Sequence, residues 1–151
     1  MRTFCLMTLI GFLSVSCSKE ECELTDHSYE YVEQGALYGD GDEGISASNL
    51  VIKTQTEWDD LVAKMDAVND ESSGFENVPS NFDEQMIIAC FDQVRPSGGY
   101  GIDITSTDVV DGELQITVVK TEPSGASTTV ITQPYVIIVM DKCEGTVTFI
   151  D

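Results

Sequence analysis

One histidine, His27, and seven lysines and arginines in 151 residues leave little room for most familiar chemistry. A Ser–His or Cys–His pair needs both partners held within hydrogen-bond reach, and His27 lies in a polar segment near the N-terminus. Hydrolytic triads are therefore disfavoured. Zinc sites built from cysteine and histidine have too few ligands. The shortage of cations also argues against nucleic acid, because Lys and Arg supply the affinity for phosphates. With 27 Asp and Glu the formal net charge is −20. So many acids make any chance carboxylate pair uninformative, and a solvated acidic face is expected in place of a glycosidase-like site. The same charge opposes adsorption to anionic lipid. We expect a non-enzyme with no cofactor.

Long apolar runs are missing too. The longest lies at the N-terminus, from Phe4 to Phe12, and spanning a bilayer takes about 20 such residues. Arg2 before it and small residues after it complete the pattern of a signal peptide. Ser14-Val15-Ser16-Cys17 closes the segment in the manner of a bacterial lipobox. Residues 1–16 are then a lipoprotein signal peptide and Cys17 is the lipidation site. Acyl chains contribute about 0.8 kcal/mol per buried CH₂, so more than one chain anchors stably. Cleavage as an ordinary secretory signal near the same place is the alternative. Ser18-Lys19-Glu20-Glu21 resembles the bacteroidete-type lipoprotein export signal, which implies an outer-membrane, lipid-anchored protein at the cell surface. Residues 17–27 are expected to form a lipidated acidic tether, and Ser18–Glu21 could serve as plain tether without an export role.

Cysteine is scarce after processing. Cys5 leaves with the signal and Cys17 is acylated, so Cys22, Cys90 and Cys143 remain. Cys90 sits inside the apolar run Met86–Phe91 and reads as a small buried hydrophobe. Cys22, in the tether, and Cys143, in a turn, could pair in an oxidising compartment.

The remaining 28–151 suit one domain. Strands are expected over Ser28–Tyr38 and Asn49–Lys53. Thr54-Gln55-Thr56-Glu57 has the form of a capping box, and Trp58, Leu61, Val62 and Met65 follow at helical spacing, predicting a helix to about Val68. Asn69–Glu84 reads as a surface loop tacked down by Phe75, Val78 and Phe82. Gln85–Phe91 is a near-continuous apolar run, as expected of a central strand. Tyr100–Thr107 and Glu113–Lys120 flank the turn signal Asp111-Gly112. Val130–Ile131, Tyr135–Met140 and Thr146–Ile150 complete the strands. The fold class is α+β: a mostly antiparallel sheet of about seven strands with one amphipathic helix packed on it. Gly39-Asp40-Gly41-Asp42-Glu43-Gly44 is a loop whose glycines and acids have no reason to pack. Asp40, Asp42 and Glu43 are weak calcium candidates, because a full calcium loop is absent.

Three pieces occur together here: Met86-Ile87-Ile88-Ala89, Pro96-Ser97-Gly98-Gly99-Tyr100-Gly101-Ile102, and Gln133-Pro134-Tyr135-Val136-Ile137-Ile138. In order and spacing they resemble the C-terminal domain of the PrcB family. Gln34-Gly35, Val51-Ile52 and Glu57-Trp58 also fit, so the resemblance spans roughly residues 29–150. It implies a non-catalytic accessory subunit that binds another envelope or secreted protein, a surface or secreted protease complex among the candidates. Membrane contact would come through the lipid anchor only. The contact set read from the turn and the Pro-aromatic strand is Arg95, Pro96, Gly98, Gly99, Tyr100 and Tyr135. Tyr and Arg are enriched at interface hot spots, although glycines also serve purely local turn geometry. The alternative function is a protease inhibitor that uses the Gly-Gly-Tyr loop, since glycine lets a backbone enter a narrow cleft.

Overall fold

A computed structural model describes residues 21–23 and 28–151. Cys17, His27 and Ser18-Lys19-Glu20 lie outside the described residues. The elements in chain order are β1 (Tyr29–Leu37), β2 (Ser48–Ile52), α1 (Gln55–Met65), β3 (Gln85–Phe91), β4 (Gly101–Val110), β5 (Glu113–Thr121), β6 (Gln133–Asp141) and β7 (Val147–Ile150). Among the described residues, seven strands and one α-helix give the expected α+β fold, rich in β-structure.

The strands divide between two sheets. One is four-stranded and antiparallel in the order β1-β6-β3-β2, and the other is three-stranded in the order β4-β5-β7. β7 runs parallel to β5. The apolar character of β3 and β6 explains the layering. Successive side chains of a strand point to opposite faces, and both faces of these two strands are covered. Met86, Ile88, Cys90, Val136, Ile138 and Met140 meet Ile102, Ile104, Leu114, Ile116 and Val118 of the smaller sheet. Ile87, Ala89, Phe91, Ile137 and Val139 face Trp58, Leu61 and Met65 of α1. The three layers are therefore helix, large sheet and small sheet. The mostly antiparallel strands are split between two sheets, because the β4–β5 hairpin alternates apolar and polar residues and lays its apolar side on β3 and β6.

Local signals behave as read, with instructive exceptions. Thr54 Oγ1 accepts from the Glu57 N–H and Glu57 Oε2 accepts from the Thr54 N–H, at 3.3 and 3.1 Å. The Lys53 N–H also donates to Glu57, and these backbone bonds hold its carboxyl below the ordinary range. The helix ends at Met65, short of Val68. Asp66 leaves it to accept from the Ser72 N–H and hydroxyl at 2.9 and 2.7 Å, which draws the chain into a 3-10 turn at Glu71–Gly74. Asp111 and Gly112 both take positive φ, 51° and 77°, as a two-residue hairpin turn requires. Val130–Ile131 is no strand. Only Thr132 bridges, to Arg95, and the two apolar residues before it stay exposed.

The two sheets are also laced at one side. The Tyr29 hydroxyl donates to the Ile104 carbonyl at 2.7 Å, Gln34 Nε2 to the Ile102 carbonyl at 2.9 Å, and the Tyr31 hydroxyl to Asp103 at 2.9 Å. Burial and the neighbouring Asp103 raise the Tyr31 hydroxyl above its usual value.

Cys90 is fully buried, and that burial pushes its thiol from 9.0 up to about 12. Two results are expected. The thiol should resist maleimide in native protein and react once the chain is denatured. Because unfolding lets it ionise at its ordinary value, its contribution to stability is whole below pH 9.0 and is lost as pH rises towards 12. Fast native labelling of Cys90 would contradict the packing described for β3.

Candidate contact site

All of the candidate contact loop lies at one end of the molecule. β3 ends at Phe91, β4 starts at Gly101, β5 ends at Thr121 and β6 starts at Gln133. The connections 92–100 and 122–132 therefore emerge side by side. They are tied together by their backbones. The Arg95 N–H donates to the Thr132 carbonyl at 2.7 Å and the Thr132 N–H to the Arg95 carbonyl at 3.0 Å. The Gly98 N–H donates to the Thr128 carbonyl at 3.0 Å, and the Thr132 hydroxyl to the Ser97 carbonyl at 3.0 Å. Gly99 sits at φ +85°, and a Cβ there would come within 2.9 Å of Pro123 Cβ. Glycine is required at that point by both conformation and contact.

The electrostatic centre of this end is Asp92, a residue the sequence reading passed over. Its side chain is 3% exposed, and it accepts from Arg95 Nε at 2.6 Å. Lys120 Nζ approaches its other oxygen at 3.5 Å. The Arg95 guanidinium also lies over the Tyr100 ring, 4.6 Å from the centroid. Below this group, Gln133 Nε2 donates to the Asp92 and Ile45 carbonyls, both at 2.9 Å. Arg95 is thus committed to holding the loop, with a side chain only 17% exposed. Tyr100 is half-buried beneath it, while Pro96 and Gly99 reach solvent.

Two further readings change. Tyr135 belongs to the core: it is 2% exposed and stacks on Phe91 with ring centroids 5.9 Å apart, so it cannot meet a partner. Burial raises its hydroxyl well above the usual range. Glu43 is not a solvated loop acid either. It is 4% exposed and accepts from the Gly39 N–H at 2.8 Å, closing the turn on itself. Asp40 and Asp42 point to solvent, so the three calcium candidates do not converge. Among the described residues no group of three His, Cys, Asp or Glu is placed to hold a metal ion.

The surface at this end carries exposed apolar side chains, with acids on one flank and the half-exposed Lys120 among its charges. Val94, Val130 and Ile131 on the two loops are exposed, and so is Tyr38, which follows the Leu37–Gln133 pair at the end of β1. The Gly41 backbone packs against Val94, which brings Asp40 and Asp42 alongside. A shallow depression of about 520 Å³ lies between Gly99 and residues 122–128. Exposed apolar side chains on separate loops carry no periodic signature. Val130 and Ile131 were legible only as a short apolar pair, and read as strand.

Residues 86–141 match the PrcB C-terminal family. The matched segment takes in β3 to β6 with both loops of the contact end, including Asp92, Arg95 and Tyr100. The upstream pieces Gln34-Gly35, Val51-Ile52 and Glu57-Trp58 lie outside it. No curated protein and no solved structure matches the chain.

The cysteines mark the opposite end. Cys22 and Cys143 are joined as a disulfide, with Cα atoms 5.1 Å apart, and both are buried in the inter-sheet core. The tether expected over 17–27 is therefore fastened to the domain at Cys22.

Proposed function

We propose that the protein is a cell-envelope lipoprotein, anchored through Cys17 at the outer membrane, whose domain is a non-catalytic accessory subunit of a protease-associated complex. The observation that carries this reading is the PrcB match, because the matched residues contain the whole loop pair 92–100 and 122–132. A surface of this kind suits a protein partner. Its exposed Val94, Val130 and Ile131 can be desolvated at low cost, and the exposed acids Asp40 and Asp42 beside Val94 favour a partner with basic residues facing that flank. The Asp92–Arg95–Tyr100 cluster supplies rigidity, so little loop entropy is lost on binding. The fastening of Gly98 and Gly99 to residues 123–128 favours a broad contact over insertion into a narrow cleft, and so favours the accessory role over the inhibitor.

Crosslinking on intact cells followed by mass spectrometry tests both location and partner. A double substitution, Val94→Ser with Ile131→Ser, leaves the buried cluster in place and is expected to lose at least tenfold in partner affinity, about 1.4 kcal/mol. Unchanged crosslinks in that variant would remove this end of the domain from the argument. Labelling with a clickable fatty acid, comparing wild type with Cys17→Ala, tests the anchor separately.

A further inference from the structure

We propose that the disulfide end of the domain faces the membrane and that the Asp92–Tyr100 end is held away from it, presented outwards to the partner. This rests on the lipid-anchor reading of Cys17. The argument begins with where the chain is first fastened. The Cys22 N–H donates to the Gly112 carbonyl at 2.8 Å, its sulfur is bonded to Cys143, and the Glu21 side chain packs over Gly112. Gly112 is the turn between β4 and β5, and Cys143 follows the last residues of β6. The contact loops sit at the other ends of these same strands. β4 has 10 residues, and at a rise of about 3.3 Å per residue the two ends are separated by about 30 Å.

Tether length decides what this separation means. Four residues separate Cys17 from Cys22, and the five Cα–Cα steps between them reach at most about 17 Å when fully extended. The clasp end is thus confined near the lipid by a leash shorter than the domain. With the clasp opened, the stretch from Cys17 to the start of β1 at Tyr29 is long enough to reach about 40 Å, which exceeds the length of the domain. Lying flat on the clasped leash is opposed by charge, because the domain would press a strongly acidic surface against anionic headgroups. The Cys22–Cys143 bond therefore sets orientation as well as stability.

The test uses the full lipidated chain in vesicles containing anionic lipid and an energy-transfer acceptor lipid. Ser124→Cys places a fluorophore at the loop end, and Asp108→Cys places one near the clasp. Cys90 is buried and does not compete for label. Transfer should be several-fold stronger from position 108 than from 124, and a Gly-Ser insertion between Lys19 and Glu20 should shrink the contrast without altering the fold. Equal or reversed transfer in vesicle-bound protein would overturn the orientation while leaving the anchor intact. Protein that fails to float with vesicles would overturn the anchor reading, and the orientation with it.

Discussion

Cys143→Ser is expected to lower the stability of the domain by about 3–5 kcal/mol, on the loop-closure estimate for a disulfide. The bond joins residues 121 apart in sequence, so in the unfolded chain it closes nearly the entire domain into one loop. Long loops lose the most entropy on closure, although slowly with length. A second contribution adds to this. Both cysteines are buried in the inter-sheet core, so serine would leave a hydroxyl in an apolar site with no designed partner. Chemical denaturation of wild type and variant measures the difference directly. Adding reductant should bring wild type close to the variant and leave the variant unchanged. A loss under about 1 kcal/mol would mean that the unfolded chain gains little freedom when the clasp opens.

That clasp shows where sequence reading succeeds and where it stops. Cys22 and Cys143 are nameable as a possible pair by counting, because the expected processing would leave three cysteines and Cys90 sits in a buried run. Their contact was not legible, since nothing in a polar segment announces that it will fold back onto a hairpin turn 90 residues away. Signals that act locally translated well. The Thr54–Glu57 box, the helical spacing of Trp58, Leu61 and Met65, and Asp111-Gly112 each specify their own geometry. Strand order did not translate. β6 lies between β1 and β3, and that arrangement is fixed by which apolar faces meet, a property of the assembled layers. Val130 and Ile131 misled for a related reason: β-branched residues favour strands, but without a neighbouring chain to pair with they remain an exposed patch.

Asp92 was hidden by abundance, being one of 27 acids, yet its position carries a faint signal. It directly follows the apolar run Met86–Phe91 and stands three residues before Arg95, one of only seven cations. The expected consequence is asymmetric. Arg95→Ala leaves a carboxylate that is 3% exposed with only Lys120 at 3.5 Å to answer it, and should cost about 3 kcal/mol as a buried charge stripped of its partner. Asp92→Ala should cost less, because the longer Arg95 side chain is 17% exposed and can turn its guanidinium to water while keeping contact with Tyr100. Lys120→Ala should cost under about 1 kcal/mol, since the lysine is 47% exposed and solvent screens the pair. The double variant Asp92→Ala with Arg95→Ala should be more stable than Arg95→Ala alone, because the uncompensated charge is gone. Denaturant titration of the four proteins completes the cycle. If Arg95→Ala and Asp92→Ala cost the same and their effects simply add, the two side chains act independently. The loop end would then owe its rigidity to the backbone bonds between Arg95, Gly98, Thr128 and Thr132, and the partner-facing surface would survive loss of the charge cluster.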